Sequence, residues 1–114
     1  MIISFQTNHR CSVVLAEFSM FPTDKGESVS QYVSQVIALI DKSGIAYQLT
    51  PMGTVLEGSW DEVMSVISQC FKVLEPQCNR VYSTVKIDYR NTDKSRMKSK
   101  IEKIETLLNK NVKH

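Results

Sequence analysis

The fold of this chain depends on one stretch, Tyr47-Gln-Leu-Thr-Pro-Met-Gly-Thr-Val-Leu-Glu-Gly-Ser-Trp60. Pro51 and Gly53 lie between two β-prone segments, and this spacing of proline and glycine is typical of a tight hairpin turn. Ser59 and Glu62 have the spacing of a capping box, in which each side chain satisfies a backbone N–H at the start of a helix. The stretch therefore predicts a strand, a hairpin turn, a second strand and the start of a helix.

A strand and a helix are predicted before this stretch. A strand is predicted over residues 12–21, where the even positions 14–20 are all apolar and the odd positions are mixed, so the even set is expected to face a helix layer. Residues 28–42 repeat apolar side chains at helical spacing, and Gly44 follows as a helix stop. Ser28 is predicted to open this helix with a capping box of its own. A strand over 45–50 then leads into the hairpin.

A helix, a strand and another helix are predicted after the hairpin. The helix over 59–75 carries an apolar stripe that includes Trp60, which is expected to anchor the core. The strand covers 80–90. The last helix covers 94–110, with Asp93 as its cap and with only a narrow apolar stripe.

The order of these elements predicts the fold class. Strand, helix and strand occur twice, and the hairpin joins the two units, which is the ferredoxin-like arrangement. We expect an α+β fold, βαββαβ, with an antiparallel sheet, helices on one of its faces and an additional C-terminal helix. The domain is predicted to cover 12–110, after an N-terminal extension over 1–11 and before a frayed tail over 111–114.

The composition restricts the function classes. The chain has 114 residues, 23% charged residues and a net charge of +2, so one nearly neutral domain is expected, with no general affinity for nucleic acids or membranes. No apolar run approaches the roughly 20 residues of a membrane helix. The N-terminal segment lacks the features of a signal peptide. Three widely spaced cysteines are then expected to be free thiols in the cytoplasm.

The sheet face without helices is predicted to need a partner, because it mixes apolar and charged side chains. We expect a homo-oligomer that buries this face or its edge strands. An alternative is that the C-terminal helix folds over the face within one chain. The predicted open face carries Val13, Leu15, Glu17, Ser19, Phe21, Gln48, Glu57, Lys86 and Asp88.

The sequence has no catalytic or metal-binding motif that we recognise, whether a nucleophile elbow, a phosphate-binding loop or paired zinc ligands. Glu17 and Glu57 are predicted to share the open face with Asp88, and such carboxylates can perform acid–base chemistry or hold a cation. Because Lys86 is expected on the same face, an ion-pair network at an interface is the preferred interpretation. We therefore predict a protein without catalytic residues, metal or cofactor, and an enzyme that uses the Glu17–Glu57 pair stays an alternative.

Four segments of the chain resemble the small thiamine-binding protein family. They are Phe18-Ser-Met-Phe-Pro22, Ser28-Val-Ser-Gln-Tyr-Val33, Tyr47-Gln-Leu-Thr-Pro-Met-Gly-Thr-Val-Leu-Glu-Gly58 and Trp60-Asp-Glu-Val-Met64. The similarity runs from about residue 12 to residue 110, and the hairpin segment is its most specific part. The resemblance implies the ferredoxin-like fold, homotetramers assembled through their sheets, and binding of thiamine or its hydroxymethylpyrimidine part without established catalysis.

The resemblance also implies a set of ligand-binding residues. Thiamine combines a cationic thiazolium with a flat aminopyrimidine, so its site needs a carboxylate, hydrogen-bonding groups and soft apolar contacts. The hairpin, the end of the first strand and the start of the first helix match the family at the required residue types. Structural roles stay open for Ser30 in a helix turn, for Thr54 in strand pairing and for Trp60 in the core. The predicted ligand-binding residues are Glu17, Ser19, Phe21, Ser30, Thr50, Met52, Gly53, Thr54 and Glu57.

Residues and resemblance together predict a function. We expect non-enzymatic binding of thiamine or a related hydroxymethylpyrimidine in the cytoplasm, by a homo-oligomer that is a tetramer. The alternative is a structural or regulatory self-assembling module without a small-molecule ligand.

Overall fold

The computed structural model describes residues 13–91 and 96–113, which form four strands and three helices. The predicted extension over 1–11 and the predicted cap Asp93 lie outside these residues. Two short 3-10 turns, Gly26–Ser28 and Glu75–Gln77, flank the first and second helices. In chain order the elements are β1 Val13–Pro22, α1 Val29–Ser43, β2 Ala46–Thr50, β3 Gly53–Gly58, α2 Trp60–Leu74, β4 Val81–Arg90 and α3 Arg96–Leu108.

The four strands form one antiparallel sheet with the order β2-β3-β1-β4. Each helix crossover, α1 from β1 to β2 and α2 from β3 to β4, skips one strand, so the two βαβ units interleave in the sheet. This is the ferredoxin-like arrangement, and the predicted α+β fold class is confirmed. No helix in the described part of the chain is long and apolar enough to cross a membrane.

The core lies between the sheet and the two helices α1 and α2. The even-numbered side chains of β1 face this layer, and Val14, Ala16, Phe18 and Met20 are at most 6% exposed, as the alternation predicts. Burial of these apolar side chains supplies most of the stabilisation of such a domain. The other buried apolar residues are Val36, Ile40, Leu56, Val63, Val66, Cys70 and Leu74.

The two predicted capping boxes have different outcomes. At the start of α2, the Glu62 backbone N–H donates to Ser59 Oγ at 3.1 Å, and the Ser59 N–H donates to Glu62 Oε1 at 2.8 Å, so this box is confirmed. The prediction for Ser28 is wrong, because its side chain makes no capping hydrogen bond. The 3-10 turn ends at Ser28 and leads directly into α1, so the Ser28 backbone does not adopt the extended conformation that a capping residue needs.

Replacing Ser59 by alanine is expected to lower the free energy of unfolding by about 1 kcal/mol, because α2 loses the hydroxyl that accepts the Glu62 N–H. Urea denaturation monitored by circular dichroism measures the change. Ser28→Ala is the matched control at the start of α1, and it is expected to change stability by less than about 0.5 kcal/mol. Equal losses in the two variants would contradict the assignment of the cap.

The predicted role of Trp60 as a core anchor is wrong, since its side chain is 52% exposed. The buried stripe of α2 is centred on Val63, Val66 and Cys70, and Trp60 lies at its margin in the first turn. Val66, at 5% exposure, also belongs to the core.

Two elements expose apolar side chains. Val85, Ile87 and Tyr89 of β4 pair with buried positions of β1 and so face the helix side, but each is at least 39% exposed. The helix α3 meets the open sheet face where the Met97 N–H donates to Glu57 Oε2 at 3.2 Å. Farther along α3, Leu107 is 76% exposed. These surfaces are available for contacts with other molecules.

Candidate functional site

A cavity of about 350 Å³ lies beside the β2–β3 hairpin. Its walls come from the last part of β1, from the inner side of α1 and from the hairpin. The cavity forms there because β1 continues beyond Phe18, its last residue paired with β3, while the chain of β3 turns back in the hairpin. The lining residues are Phe18, Ser19, Met20, Phe21, Val33, Val36, Ile37, Leu49, Thr50, Pro51, Met52, Gly53 and Thr54.

Six of the nine predicted ligand-binding residues line this cavity: Ser19, Phe21, Thr50, Met52, Gly53 and Thr54. Four of the six belong to the hairpin, and the other two lie near the end of β1. The strand register puts the Ser19 and Phe21 side chains on the open sheet face, where the Phe21 ring contacts the ring of Tyr82 at 5.7 Å between centroids. Ser19 and Phe21 therefore border the cavity as part of β1, with their side chains on the other face of the sheet.

The other three predicted residues lie elsewhere. Glu17 is exposed on the open face, and its Oε1 lies 3.4 Å from Lys86 Nζ. Glu57 is 8% exposed on the same face and accepts the Met97 N–H. Ser30 is exposed in the first turn of α1. The structure thus separates these three side chains from the lining of the cavity.

The Thr50 hydroxyl stabilises the hairpin turn. Its Oγ1 donates to the Gly53 carbonyl at 2.7 Å and accepts the Met52 N–H at 3.2 Å. A threonine hydroxyl has one hydrogen to donate, so this one is committed to the turn. Thr50 shapes the cavity wall through these bonds.

Thr50→Val is expected to lower the free energy of unfolding by about 1 kcal/mol, because two local hydrogen bonds of the turn are lost while the shape of the side chain is kept. Urea denaturation measures the effect. Thr84→Val is a suitable control, since Thr84 lies on the exposed strand β4 and the structure gives its side chain no hydrogen bond within the described residues. The assignment fails if the two variants are equally stable.

Gly53 brings the hairpin close to β1. Its φ of +152° lies in a region that side chains rarely adopt, and a Cβ on it would lie 3.0 Å from the Phe18 carbonyl oxygen. Glycine is therefore required at this wall of the cavity by both backbone conformation and space.

Thr54 contributes a buried polar group. It is 4% exposed and lies on the helix side of β3, opposite Phe18 and Leu49. Within residues 13–91 and 96–113 the structure gives its hydroxyl no hydrogen-bond partner. A buried hydroxyl without a partner destabilises a protein, so this group is available to a bound molecule.

The remaining wall of the cavity is apolar and uncharged. Seven lining residues were not among the predicted ligand-binding residues. One is Pro51 of the turn, and the other six are apolar side chains whose strand or helix spacing indicates core packing and carries no separate binding signal. Behind the wall, burial raises the pKa of the Cys70 thiol to about 11, so this thiol is protonated at neutral pH and is no nucleophile. The six residues are Phe18, Met20, Val33, Val36, Ile37 and Leu49.

The cavity can enclose a flat, mainly apolar group with a few hydrogen-bonding atoms. Soft and aromatic side chains such as Met20, Met52 and Phe18 suit the faces of such a ring. Among the described residues no cluster of His, Cys, Asp and Glu is suitable for a metal ion.

Comparison with known proteins gives consistent matches over most of the chain. A family model described as thiamine-binding protein matches residues 16–105. A UPF0045 protein of Methanocaldococcus jannaschii is 35% identical over 91 residues, which cover 80% of this chain and 91% of the relative. Another UPF0045 protein, from Mycobacterium bovis, is 33% identical over 96 residues, covering 83% of this chain and 94% of that protein.

Solved structures share the fold. The crystal structure of the Methanocaldococcus jannaschii protein has a TM-score of 0.68 and 34% identity, covering 85% of this chain and 96% of its own. The structure of a candidate thiamine biosynthesis/salvage protein from Thermotoga maritima has a TM-score of 0.71 and 22% identity, covering 81% and 98%. At that identity the second likeness concerns the fold alone.

Proposed function

The chain belongs to the thiamine-binding protein family, and from this membership we propose that it binds thiamine or a related hydroxymethylpyrimidine without catalysing a reaction. The observation that carries the proposal is the cavity beside the hairpin, whose lining includes six of the predicted ligand-binding residues. Its volume of about 350 Å³ is within the usual range of small-molecule sites.

The charge of the ligand sets its orientation in this proposal. Thiamine carries a permanent positive charge on its thiazolium ring, and none of the residues that line the cavity is charged. Burying an unpaired charge is costly, so the neutral aminopyrimidine enters the cavity while the thiazolium stays at the mouth. The predicted carboxylate of β1, Glu17, faces the open side of the sheet and pairs with Lys86, so no carboxylate of the cavity lining meets the cation.

Self-assembly is the second part of the proposal. The exposed side chains of Val85, Ile87 and Tyr89 on β4 and of Leu107 on α3 supply apolar surface that a second copy can bury. We propose a homo-oligomer, in the form of a tetramer. The proposal places it in the cytoplasm, since Cys70 and Cys78 are free thiols.

Isothermal titration calorimetry with the full chain tests the binding. Thiamine and 4-amino-5-hydroxymethyl-2-methylpyrimidine are expected to give saturable heats, with similar affinity because the shared pyrimidine occupies the cavity. The isolated hydroxyethylthiazole is expected to give none. Absence of binding by both pyrimidine ligands at millimolar concentration would exclude the proposed function.

Sedimentation velocity tests the assembly independently of the ligand. A species larger than one chain is expected at micromolar concentration, and Ile87→Glu is expected to shift it toward the monomer by placing a charge in the apolar surface of β4. Ala38→Glu, at an exposed position of α1, is the control for added negative charge outside the apolar surface of β4. A wild-type monomer at micromolar concentration contradicts this part of the proposal.

A self-assembling module without a small-molecule ligand is the second candidate function. The exposed apolar side chains of β4 favour it, because they support assembly whether or not a ligand binds. Calorimetry distinguishes the two functions, since a pure assembly module gives oligomers and no pyrimidine binding. An enzyme that uses Glu17 and Glu57 is less favoured, because Glu17 pairs with Lys86 and Glu57 accepts the Met97 N–H.

A further inference from the structure

Strand β1 is longer than its pairing with β3. It continues to Pro22, while the paired register with β3 ends where Phe18 lies opposite Thr54. On its other side β1 stays paired with β4 over its whole length. The last part of β1 therefore presents a free backbone edge toward the hairpin, in the wall of the cavity.

The hydrogen-bond pattern between β1 and β4 shows which backbone N–H and C=O groups of β1 point toward the hairpin. The Thr23 N–H donates to the Arg80 carbonyl at 3.0 Å, in line with the β1–β4 register. In an antiparallel ladder the N–H and C=O of alternate residues point to the same neighbour, so odd residues of β1 bond to β4 and even residues point to β3. Met20 is the first even residue after Phe18, and its N–H and C=O point toward the hairpin.

No backbone partner meets these two groups within residues 13–91 and 96–113. The position across from Met20 is Met52, which lies in the turn and forms no register pair. Met20 as a whole is only 6% exposed. Backbone groups that are buried without partners destabilise a protein, so a molecule that pairs with both is favoured.

The slot is short. Pro51 and Met52 line it at the hairpin tip, and Val33 and Ile37 of α1 line it on the helix side. A peptide strand needs several successive ladder positions to bind by strand addition, and this edge offers one residue with both an N–H and a C=O, since Pro22 has no N–H. A small planar ring fits the slot better than an extended peptide.

We propose that the backbone N–H and C=O of Met20 bind the edge of an amino-substituted nitrogen heterocycle, with the Thr54 hydroxyl as a third polar contact. A ring nitrogen accepts from the Met20 N–H, and the neighbouring exocyclic amino group donates to the Met20 C=O. Phe18 and Leu49 contact the ring faces. The inference rests on the proposed function and specifies which atoms of the pyrimidine the site recognises.

Ligand analogues test the recognition, because replacing the exocyclic amino group by an oxo group reverses the donor and acceptor at that edge. The full chain, labelled with ¹⁵N, is titrated with thiamine, with the hydroxymethylpyrimidine and with oxythiamine. Thiamine and the pyrimidine are expected to shift the Met20 amide resonance and to slow its hydrogen exchange. Oxythiamine is expected to bind at least about tenfold more weakly, since an unpaired buried polar group remains. The Ala16 amide, paired with Leu56, is the internal control.

The outcomes separate the inference from the proposed function. If thiamine binds but the Met20 amide is unchanged and oxythiamine binds equally well, the inference is wrong and the proposed function stands. If neither thiamine nor the pyrimidine binds, both are wrong. If the Met20 amide is already protected without ligand, in proportion to protein concentration, a second chain occupies the slot and the inference is overturned.

Discussion

Gly53→Ala is expected to lower the free energy of unfolding by about 2–4 kcal/mol. Two costs add at this position. A φ of +152° is unfavourable for any residue with a side chain, and the new Cβ would lie 3.0 Å from the Phe18 carbonyl oxygen. The oxygen belongs to the backbone of the central strand β1, so it cannot move aside without disturbing the β1–β3 ladder.

Urea denaturation of the wild type and of two alanine variants measures this effect. Gly26→Ala is the matched control, because Gly26 also has a positive φ, +58°, but nothing lies within 4 Å of its added Cβ. It is expected to cost only about 1–2 kcal/mol, the price of the left-handed conformation alone. If Gly53→Ala lowers the free energy of unfolding no more than Gly26→Ala does, the close approach of Gly53 to the Phe18 carbonyl is contradicted.

The hairpin and the fold could be predicted because local chemistry determines them. Pro51 and Gly53 indicate the turn, and Ser59 with Glu62 indicates the helix start after it; both assignments depend only on residues that are close in the sequence. The interleaved strand order follows from two βαβ units joined by this hairpin.

The predictions for Ser28 and Trp60 were wrong because neighbouring structure, and not the residue type alone, decides whether a serine caps a helix or a tryptophan is buried. Ser28 has the residue type of a cap, but the preceding 3-10 turn fixes its backbone in another conformation. Trp60 has the spacing of a core residue, but it is the first residue of α2, at the margin of the buried stripe, and is 52% exposed. Neither the 3-10 turn nor the exposure of Trp60 is visible in the apolar periodicity.

The cavity could be predicted only in part, for a related reason. Its hydroxyl and hairpin residues could be identified by resemblance, whereas the free edge at Met20 depends on where the pairing of β1 with β3 ends. That end point is a property of strand register, and side-chain patterns carry no signal for unpaired backbone groups. The apolar wall is likewise indistinguishable from core in the sequence, because a cavity and a packed core are lined by the same residue types.

Thr54→Val is expected to change stability and binding in opposite directions. The Thr54 side chain is 4% exposed, and its hydroxyl has no hydrogen-bond partner among residues 13–91 and 96–113. Valine has nearly the same shape without the hydroxyl. The free energy of unfolding is therefore expected to rise by about 1 kcal/mol, because the cost of burying an unpaired hydroxyl is removed. Affinity for thiamine and for the hydroxymethylpyrimidine is expected to fall at least about tenfold, because the ligand loses a hydrogen bond in a buried site.

The comparison with Thr54→Ser makes this prediction specific to the hydroxyl. Serine keeps the oxygen and loses a buried methyl group, so stability is expected to fall by about 1 kcal/mol while ligand affinity stays within about threefold of the wild type. Urea denaturation and calorimetry on the same three proteins give both quantities. A valine variant that is less stable than the wild type and binds the pyrimidine unchanged would mean that the Thr54 hydroxyl serves the fold. A valine variant that is more stable than the wild type and binds the pyrimidine more weakly would mean that the chain keeps a destabilising hydroxyl at the cavity because the ligand needs it.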